Sequence, residues 1–578
     1  MQIDWDVEIP MDDGSVVRAD VFRPAGEGRH PVLMSYGPYA KGLPFQDGYP
    51  VQWHSLVAAH PEILKGSSGR YANWETADPE RWVPLGYICI RVDSRGAGRS
   101  PGVIDPFSPR EAKDFHDCIE WAAGQPWSNG KIGLAGVSYY AATQWMVAAT
   151  RPAHLAAICP FEGFSDYYRD ACRHGGILNT FMKVWYPQQV ENVQHGLGTR
   201  GRINPNTGVP ISGPAELSDE EMRASRVDIS ALHLRSERIT DSYYEGRRAD
   251  LAAIEVPVLS CGNWGGHGLH LRGNVEGYLG AGSAQKWLEL HGLEHWTEFY
   301  TDYGVALQKR FFDHFLKGED NGWDREPPLK LQIRHVDRFV ERAEHEWPLA
   351  RTEWTRLYLD ADQRALQPAP ASTASHAAFD GMKGTVSFST APFEHDVEMT
   401  GPLAATLHIS TTARDADLFL TVRAFAPDGK EHLIVGAVDP RAPLAQGWLR
   451  ASHRKLDPQA SKPYRPVHAH ETVEVLEPGS VYELQVEIWP LCFVFRKGYR
   501  LVLTVGSSDF EHDLPGPHPQ IYGKEMRGCS VLLHDHPDDH TAERFAGQTT
   551  LHTGGEGHAS FLLLPVIPAT RQAANTAG

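Results

Sequence analysis

A chain of 578 residues with 41% hydrophobic and 10% aromatic side chains is long enough for two or three domains and apolar enough for a sizeable core. Its net charge of −18, from 73 acidic against 55 basic residues without a long basic run, excludes a nucleic-acid partner and reads as a solubilising surface. No apolar run reaches the roughly 18–20 residues that cross a bilayer, the N-terminus lacks the pattern of a secretory signal, and the seven scattered cysteines form no Cys-x-x-Cys pair; a reduced cytoplasmic protein is expected.

Residues 3–23 read as a hairpin, with two alternating segments around Asp12-Asp13-Gly14-Ser15. Pro31–Ser35 is a buried strand that runs into Tyr36-Gly37-Pro38-Tyr39-Ala40-Lys41. Residues 42–80 form a long aromatic excursion. Gly86–Val92 is a second buried strand, followed by Asp93-Ser-Arg95-Gly96-Ala-Gly98. Glu111–Ala123 is an amphipathic helix with Phe115, Cys118, Ile119 and Ala122 on one face. Ile132–Ala135, Leu155–Pro160, Val256–Ser260 and Lys286–Leu290 are further buried strands, and Leu307–Lys317 is a helix. Strands alternating with helices predict a doubly wound parallel sheet whose site gathers beyond the C-terminal strand ends. Residues 166–250 break the alternation and are expected to form a mostly helical cap. From 329 onward alternating runs such as Leu329–Arg334, Ala404–Ser410, Leu418–Phe425 and Tyr482–Ile488 predict a β-sandwich. The expected organisation is therefore 1–165 and 251–325 as the α/β domain, 166–250 as the cap, 326–568 as the sandwich and 569–578 as a disordered tail.

Gly136-Val137-Ser138 joins a buried strand to a run of helix formers, Ala141–Thr150. A serine on such a corner exposes its hydroxyl, and the helix N-terminus offers N–H groups to a developing oxyanion. That is the nucleophile elbow of an α/β-hydrolase, although Tyr140 replaces the final glycine of Gly-x-Ser-x-Gly. In this fold the order is serine, acid, histidine, with the histidine after the last core strand. His295 in His291-Gly-Leu-Glu-His295-Trp296 is the expected base, and His291 its competitor.

These residues resemble the cocaine-esterase and X-Pro dipeptidyl-peptidase family of serine hydrolases. Gly136-Val-Ser138-Tyr139-Tyr140 matches the family's Gly-x-Ser-Tyr-x-Gly up to its last position, Ala141. Asp93-x-Arg95-Gly96-x-Gly98-x-Ser100, Gln125-Pro126-Trp127 and Phe311-Phe312-Asp313 fit as well. The resemblance covers nearly the whole chain and implies an α/β-hydrolase with an inserted cap and a C-terminal jelly roll. It implies that Tyr39, in Pro38-Tyr39-x-Lys41, completes an oxyanion hole with the backbone N–H of Tyr139. Asp93 and Arg95 are expected to hold loops through an ion pair.

The acid departs from the family pattern. Gly265 in Cys261-Gly-Asn263-Trp264-Gly265-Gly-His267 stands where the family places its aspartate. A carboxylate beyond the strand that follows the elbow helix can reach the same imidazole, so Glu162 is the expected acid, with Asp166 read as structural and Asn263 as a weak alternative. Tyr140, Phe161, Trp264, His267 and Trp296 are expected to line the substrate pocket. His267 and His270 form one histidine pair without a third ligand, so they are read as lining the pocket entrance and no metal is expected.

The reading is a serine hydrolase that cleaves an ester or amide of a small organic acyl substrate through an acyl-enzyme, without cofactor, with no membrane partner and at most further copies of itself as protein partners. The alternative within the class is an X-Pro or α-amino-acid aminopeptidase or ester hydrolase, with Glu294, Glu298 and Asp302 receiving the ammonium. Outside it stand an acyltransferase and a non-catalytic binding protein with a decayed site.

Overall fold

The computed structural model describes residues 1–529 and 531–569. The expected tail, apart from residue 569, lies outside the described residues. The first part of the chain builds a ten-stranded sheet in the order β1-β2-β4-β3-β5-β6-β9-β10-β11-β12. β1 (Gln2–Pro10) and β2 (Val16–Arg23) form an antiparallel hairpin at one edge. β3 (His30–Gly37), β4 (Ile88–Asp93), β5 (Ser128–Val137), β6 (Leu155–Phe161), β9 (Val258–Asn263) and β10 (Lys286–His291) run parallel. Every residue of β4, β6 but one, and β9 is buried, which explains why these strands read as continuous apolar runs rather than alternating ones.

Residues 329–334 were expected in the C-terminal domain. They instead form β11 (Leu329–Arg334), parallel to β10, with β12 (Phe339–Glu344) antiparallel at the edge. Leu329, Leu331 and Ile333 pack beside Leu288 and Leu290. Their alternation suits an outer strand of this sheet as well as a sandwich strand, and pattern alone does not separate the two.

Between β6 and β9 lie short helical pieces, among them Phe181–Trp185, Asp219–Ala224 and Ile229–Arg235, and a small hairpin of β7 (Arg173–His174) and β8 (Ile177–Leu178). The hairpin turn meets the C-terminal domain, where the Arg450 N–H donates to the Gly175 carbonyl at 2.9 Å. That domain is strand-rich. Its strands are joined almost entirely by antiparallel pairing, and the sheet closes where Val397–Thr411 pairs with Phe561–Ile567. No helix among the described residues is long and apolar enough to cross a membrane.

Asp93 and Arg95 do not pair with each other. Asp93 accepts from the backbone N–H groups of Lys41 (2.6 Å) and Arg99 (2.8 Å) and faces the Lys41 ammonium, while Arg95 bonds Asp114 at 2.8 Å. The turn at Gly98, φ +52°, lays the chain over the Asp93 carboxyl so closely that a Cβ there would overlap it. Asp93 thus ties the loop carrying Tyr39 to the end of β4.

Candidate active site

The elbow is strained. Ser138 has φ 58° and ψ −113°, and its N–H donates to the carbonyls of Phe161 and Glu162, each at 3.1 Å. A non-glycine residue holds such a conformation only where its surroundings dictate it. Tyr140 fits the place of the usual glycine because its ring lies over Gly37 and its Cβ over Gly136, where an added Cβ on either would overlap it. The Tyr139 ring packs on Phe107, centroids 4.2 Å apart, and its hydroxyl donates to buried Glu111. Burial lifts the Glu111 carboxyl to about 7. At the first position of the helix Tyr139–Ala149, the Tyr139 N–H has no partner within the helix.

The imidazole on the Ser138 hydroxyl is His270. Its Nε2 lies 3.1 Å from the Ser138 Oγ. His270 is 1% exposed, its ring is parallel to Phe164, and its Nδ1 has no hydrogen-bond partner among the described residues. Burial, and then the neighbouring His295, hold it well below the usual histidine range, so it is neutral, and its Nε2 shares a hydrogen bond with the serine hydroxyl.

His295 lies beside it, with ring centroids 6.1 Å apart. Its Nε2 meets Glu75 Oε1 at 2.9 Å. Burial opposes a charged ring, but Glu75, by hydrogen bond and charge, and the charge of Glu162 outweigh it and raise His295. Glu75 itself is lifted by burial to about 7. The backbone fixes this pair from two sides. The Glu75 carbonyl accepts from the Val137 N–H of the elbow strand at 3.0 Å, and the His295 N–H donates to Ala437 of the C-terminal domain at 2.9 Å.

Glu162, expected on His295, bonds His291 instead. Its Oε1 is 3.1 Å from His291 Nε2 and 3.3 Å from Asn263 Nδ2. With φ 48° at Glu162, the carboxyl turns across the ends of β9 and β10. The second nitrogen of His291 is taken by Glu289 at 2.7 Å, so this ring, clamped between two carboxylates, has no nitrogen left to serve a nucleophile. Asp166 caps the Arg169 N–H and pairs with its guanidinium at 2.7 Å, away from these histidines.

Gly265 has no room for an acid. An added Cβ would lie 2.6 Å from the Gly436 Cα and 2.7 Å from the Val435 carbonyl. The Ala437 N–H donates to the Gly265 carbonyl at 2.9 Å, so a loop of the C-terminal domain fills the space an aspartate would occupy.

Tyr39 lies edge-on to Tyr139 and Tyr140, and its hydroxyl accepts from the Trp185 indole N–H at 3.1 Å. Burial, then Glu75, raise its pKa well above the usual value. The phenol therefore keeps its proton and has it free to donate. Of the expected pocket residues, Tyr140 and Trp296 adjoin the site; Trp296 lies 5.0 Å from His295, ring to ring. Three do not line it. Phe161 packs into the core against Phe299, Trp264 is buried beside Trp347 with its indole N–H on the Gln332 carbonyl, and His267 faces Trp489 of the C-terminal domain. Phe161 ends β6 and the other two follow β9, but all three side chains are buried in packing.

Sequence reasoning missed the role of His270 and overlooked Glu75 and Trp185. Glu75 lies in the 42–80 excursion, where no motif marks it. Its one legible signal is a charged residue within an aromatic stretch, next to Trp74. Ala40, Glu75, Ser138, Glu162 and Leu293 all have φ between 48° and 72°, as do six further non-glycine residues among those described. Each such residue costs on the order of 1–3 kcal/mol.

Comparison with known proteins bears on this geometry. Residues 13–297 match the family model described as X-Pro dipeptidyl-peptidase (S15 family), and 321–562 match the X-Pro dipeptidyl-peptidase C-terminal non-catalytic domain. The chain is 24% identical to cocaine esterase of a Rhodococcus strain, over 97% of this chain and 98% of the relative. An aminopeptidase from a Thaumarchaeota archaeon shares the fold, with TM-score 0.68 at 16% identity over 97% and 96% of the two chains. A crystal structure of a CocE/NonD family hydrolase from Staphylococcus aureus superposes with TM-score 0.82 at 31% identity, over 98% of this chain and 94% of that one. With that identity held over nearly the full length of both chains, the protein belongs to the CocE/NonD family of hydrolases.

Proposed function

We propose that the protein is a serine hydrolase that cleaves an ester or amide of a small acyl substrate through an acyl-enzyme on Ser138. The observation that carries this reading is the strained elbow, φ 58°, with its hydroxyl 3.1 Å from a buried neutral imidazole. A serine hydroxyl is a weak nucleophile until a base takes its proton as it attacks. The Tyr39 phenol and the Tyr139 N–H then receive the charge that develops on the carbonyl oxygen. Donors of this kind contribute roughly 3–4 kcal/mol each to transition-state stabilisation. His295 stays in the machinery with Glu75, in place of Glu162, as the carboxylate that holds it. Glu162 acts on His295 through charge.

The amino-acid alternative draws less support from the residues first considered for it. Glu298 is bonded by Gln332 at 2.7 Å, Asp302 pairs with Arg81 at 2.6 Å, and Glu294 accepts from Thr297 at 3.0 Å. Each has one carboxylate oxygen engaged in this way. The antiparallel order of the C-terminal sheet supports the jelly-roll reading of that domain.

The test is hydrolysis of p-nitrophenyl acetate and butyrate by the wild type and by Ser138→Ala. The expected result is turnover by the wild type and a loss of at least about 10³-fold in the variant. Equal rates in the two proteins would contradict the reading.

A further inference from the structure

The resting site holds two imidazoles where one would serve. We propose that His270 and His295 divide the proton transfers: His270 takes the Ser138 proton, and His295, held by Glu75, gives a proton to the leaving group. This rests on the serine-hydrolase reading.

The geometry separates the two rings. The Ser138 hydroxyl is bonded to His270 at 3.1 Å, while the Nε2 of His295 is engaged by Glu75 at 2.9 Å. No carboxylate bonds the far nitrogen of His270, which is buried without a partner among the described residues. No anion bonds that nitrogen, so a proton taken by His270 is one it gives back to Oγ when the acyl group leaves. A carboxylate does hold His295, and that ring can carry a proton at rest. The surroundings agree: His270 faces Ser138, Phe164 and His295, whereas His295 faces Glu75 from the loop before β4, Glu162 from the end of β6 and the Ala437 backbone. Glu75 is buried, and burial together with its charge raises Tyr39, Tyr49, Tyr140, Tyr300 and Tyr522. The two rings are accordingly shifted in opposite directions, His270 down and His295 up.

The cycle balances. As the bond from Oγ to the acyl carbon forms, the Oγ proton passes to His270. As the bond from carbon to the leaving group breaks, the leaving atom takes a proton from the His295 imidazolium. Water then attacks the acyl carbon and gives its proton to His295. The bond from Oγ to carbon breaks while His270 returns its proton to Oγ. One water is consumed, and both rings regain their starting charge.

The experiment is a rapid-mixing burst assay with p-nitrophenyl butyrate on His270→Gln, His295→Gln and Ser138→Ala. Nitrophenolate leaves without needing a proton, so acylation bypasses His295; its imidazolium then loses that proton to solvent and becomes the base that deacylation needs. His295→Gln is expected to release about one nitrophenolate per chain and then turn over at least about 10²-fold more slowly than wild type. His270→Gln is expected to give no burst. Loss of the burst in His295→Gln, or a normal burst in His270→Gln, overturns the division. A second measurement covers variants that misfold. With ethyl butyrate, whose leaving group needs a proton, kcat/KM should fall at alkaline pH, and Glu75→Gln should move that fall to lower pH. An unmoved limb overturns the proposal. Nitrophenolate release by Ser138→Ala at the wild-type rate would instead sink the serine reading itself.

Discussion

Tyr39 has its hydroxyl oxygen already occupied as an acceptor by Trp185, and burial keeps its proton on. A phenol in that state has one thing left to do, which is to donate. Tyr39→Phe removes the donor while keeping the ring that packs on Tyr139 and Tyr140. The expected result is a kcat lower by roughly 10²–10³-fold with KM little changed, read from steady-state kinetics on p-nitrophenyl butyrate. A KM effect alone would mean that Tyr39 only shapes the pocket. Trp185 comes from the insertion between β6 and β9, so that segment acts on the site at the scale of a single hydrogen bond.

At the scale of elements, the loop around Val435–Ala437 decides what the end of β9 can carry. It bridges the Gly265 carbonyl and the His295 N–H through both sides of Ala437. Gly265→Asp places a Cβ against backbone atoms at 2.6 and 2.7 Å, and backbone yields less readily than a side chain. The variant is expected to be less stable by about 1–3 kcal/mol in urea unfolding and to gain no activity. Restored or increased turnover would show that the family's usual position for the acid is open.

The same elements show what the sequence could carry. The elbow was legible because a turn between a buried strand and a helix has few solutions, and the serine sits at its corner. His295 was read as the base on Ser138 held by Glu162, whereas the structure puts His270 on that hydroxyl and His295 on Glu75. Glu75 reaches it from over 200 residues away in sequence through a loop with no periodicity, and only the packing of β3, β4 and β5 brings it near. Glu162 was placed at the correct strand end, yet its positive φ sends the carboxyl to His291, and backbone twist of that kind has no signature in a glutamate. β11 was read as a sandwich strand and instead joins the first sheet, because alternation reports a half-buried strand without saying which sheet it joins.

Over the whole molecule, the C-terminal domain is tied to the insertion by a buried charge network. Arg450, with no exposed surface, bonds Asp417 at 2.8 Å and Asp539 at 2.7 Å, and Asp539 also bonds Arg173 at 2.9 Å. Arg450→Ala leaves buried Asp417 with His540 and Asp539 with Arg173, each short of its shared guanidinium, and is expected to cost about 3–5 kcal/mol in denaturant unfolding. Burial opposes ionisation of Asp417, but Arg450 outweighs it and the carboxyl is held below its usual range; Asp539 is lowered as well. A carboxyl depressed on folding stabilises the protein above its unfolded pKa, near 3.8, and loses that contribution as pH falls through the folded value. Tm should therefore drop as pH is lowered below about 4, and Asp417→Asn should flatten that drop. His291, raised between Glu289 and Glu162, acts with the opposite sign. Its contribution is full below the unfolded histidine value, about 6.5, and is lost as pH rises through the folded one.

The central claim is that Ser138 is the atom that becomes acylated. The most direct measurement is intact mass and peptide mapping of the full chain after reaction with a fluorophosphonate, on wild type and Ser138→Ala. The account predicts one adduct per chain, on the peptide containing Ser138, and none in the variant. An adduct on another residue, or a wild type that stays unlabelled while it hydrolyses esters, would contradict it.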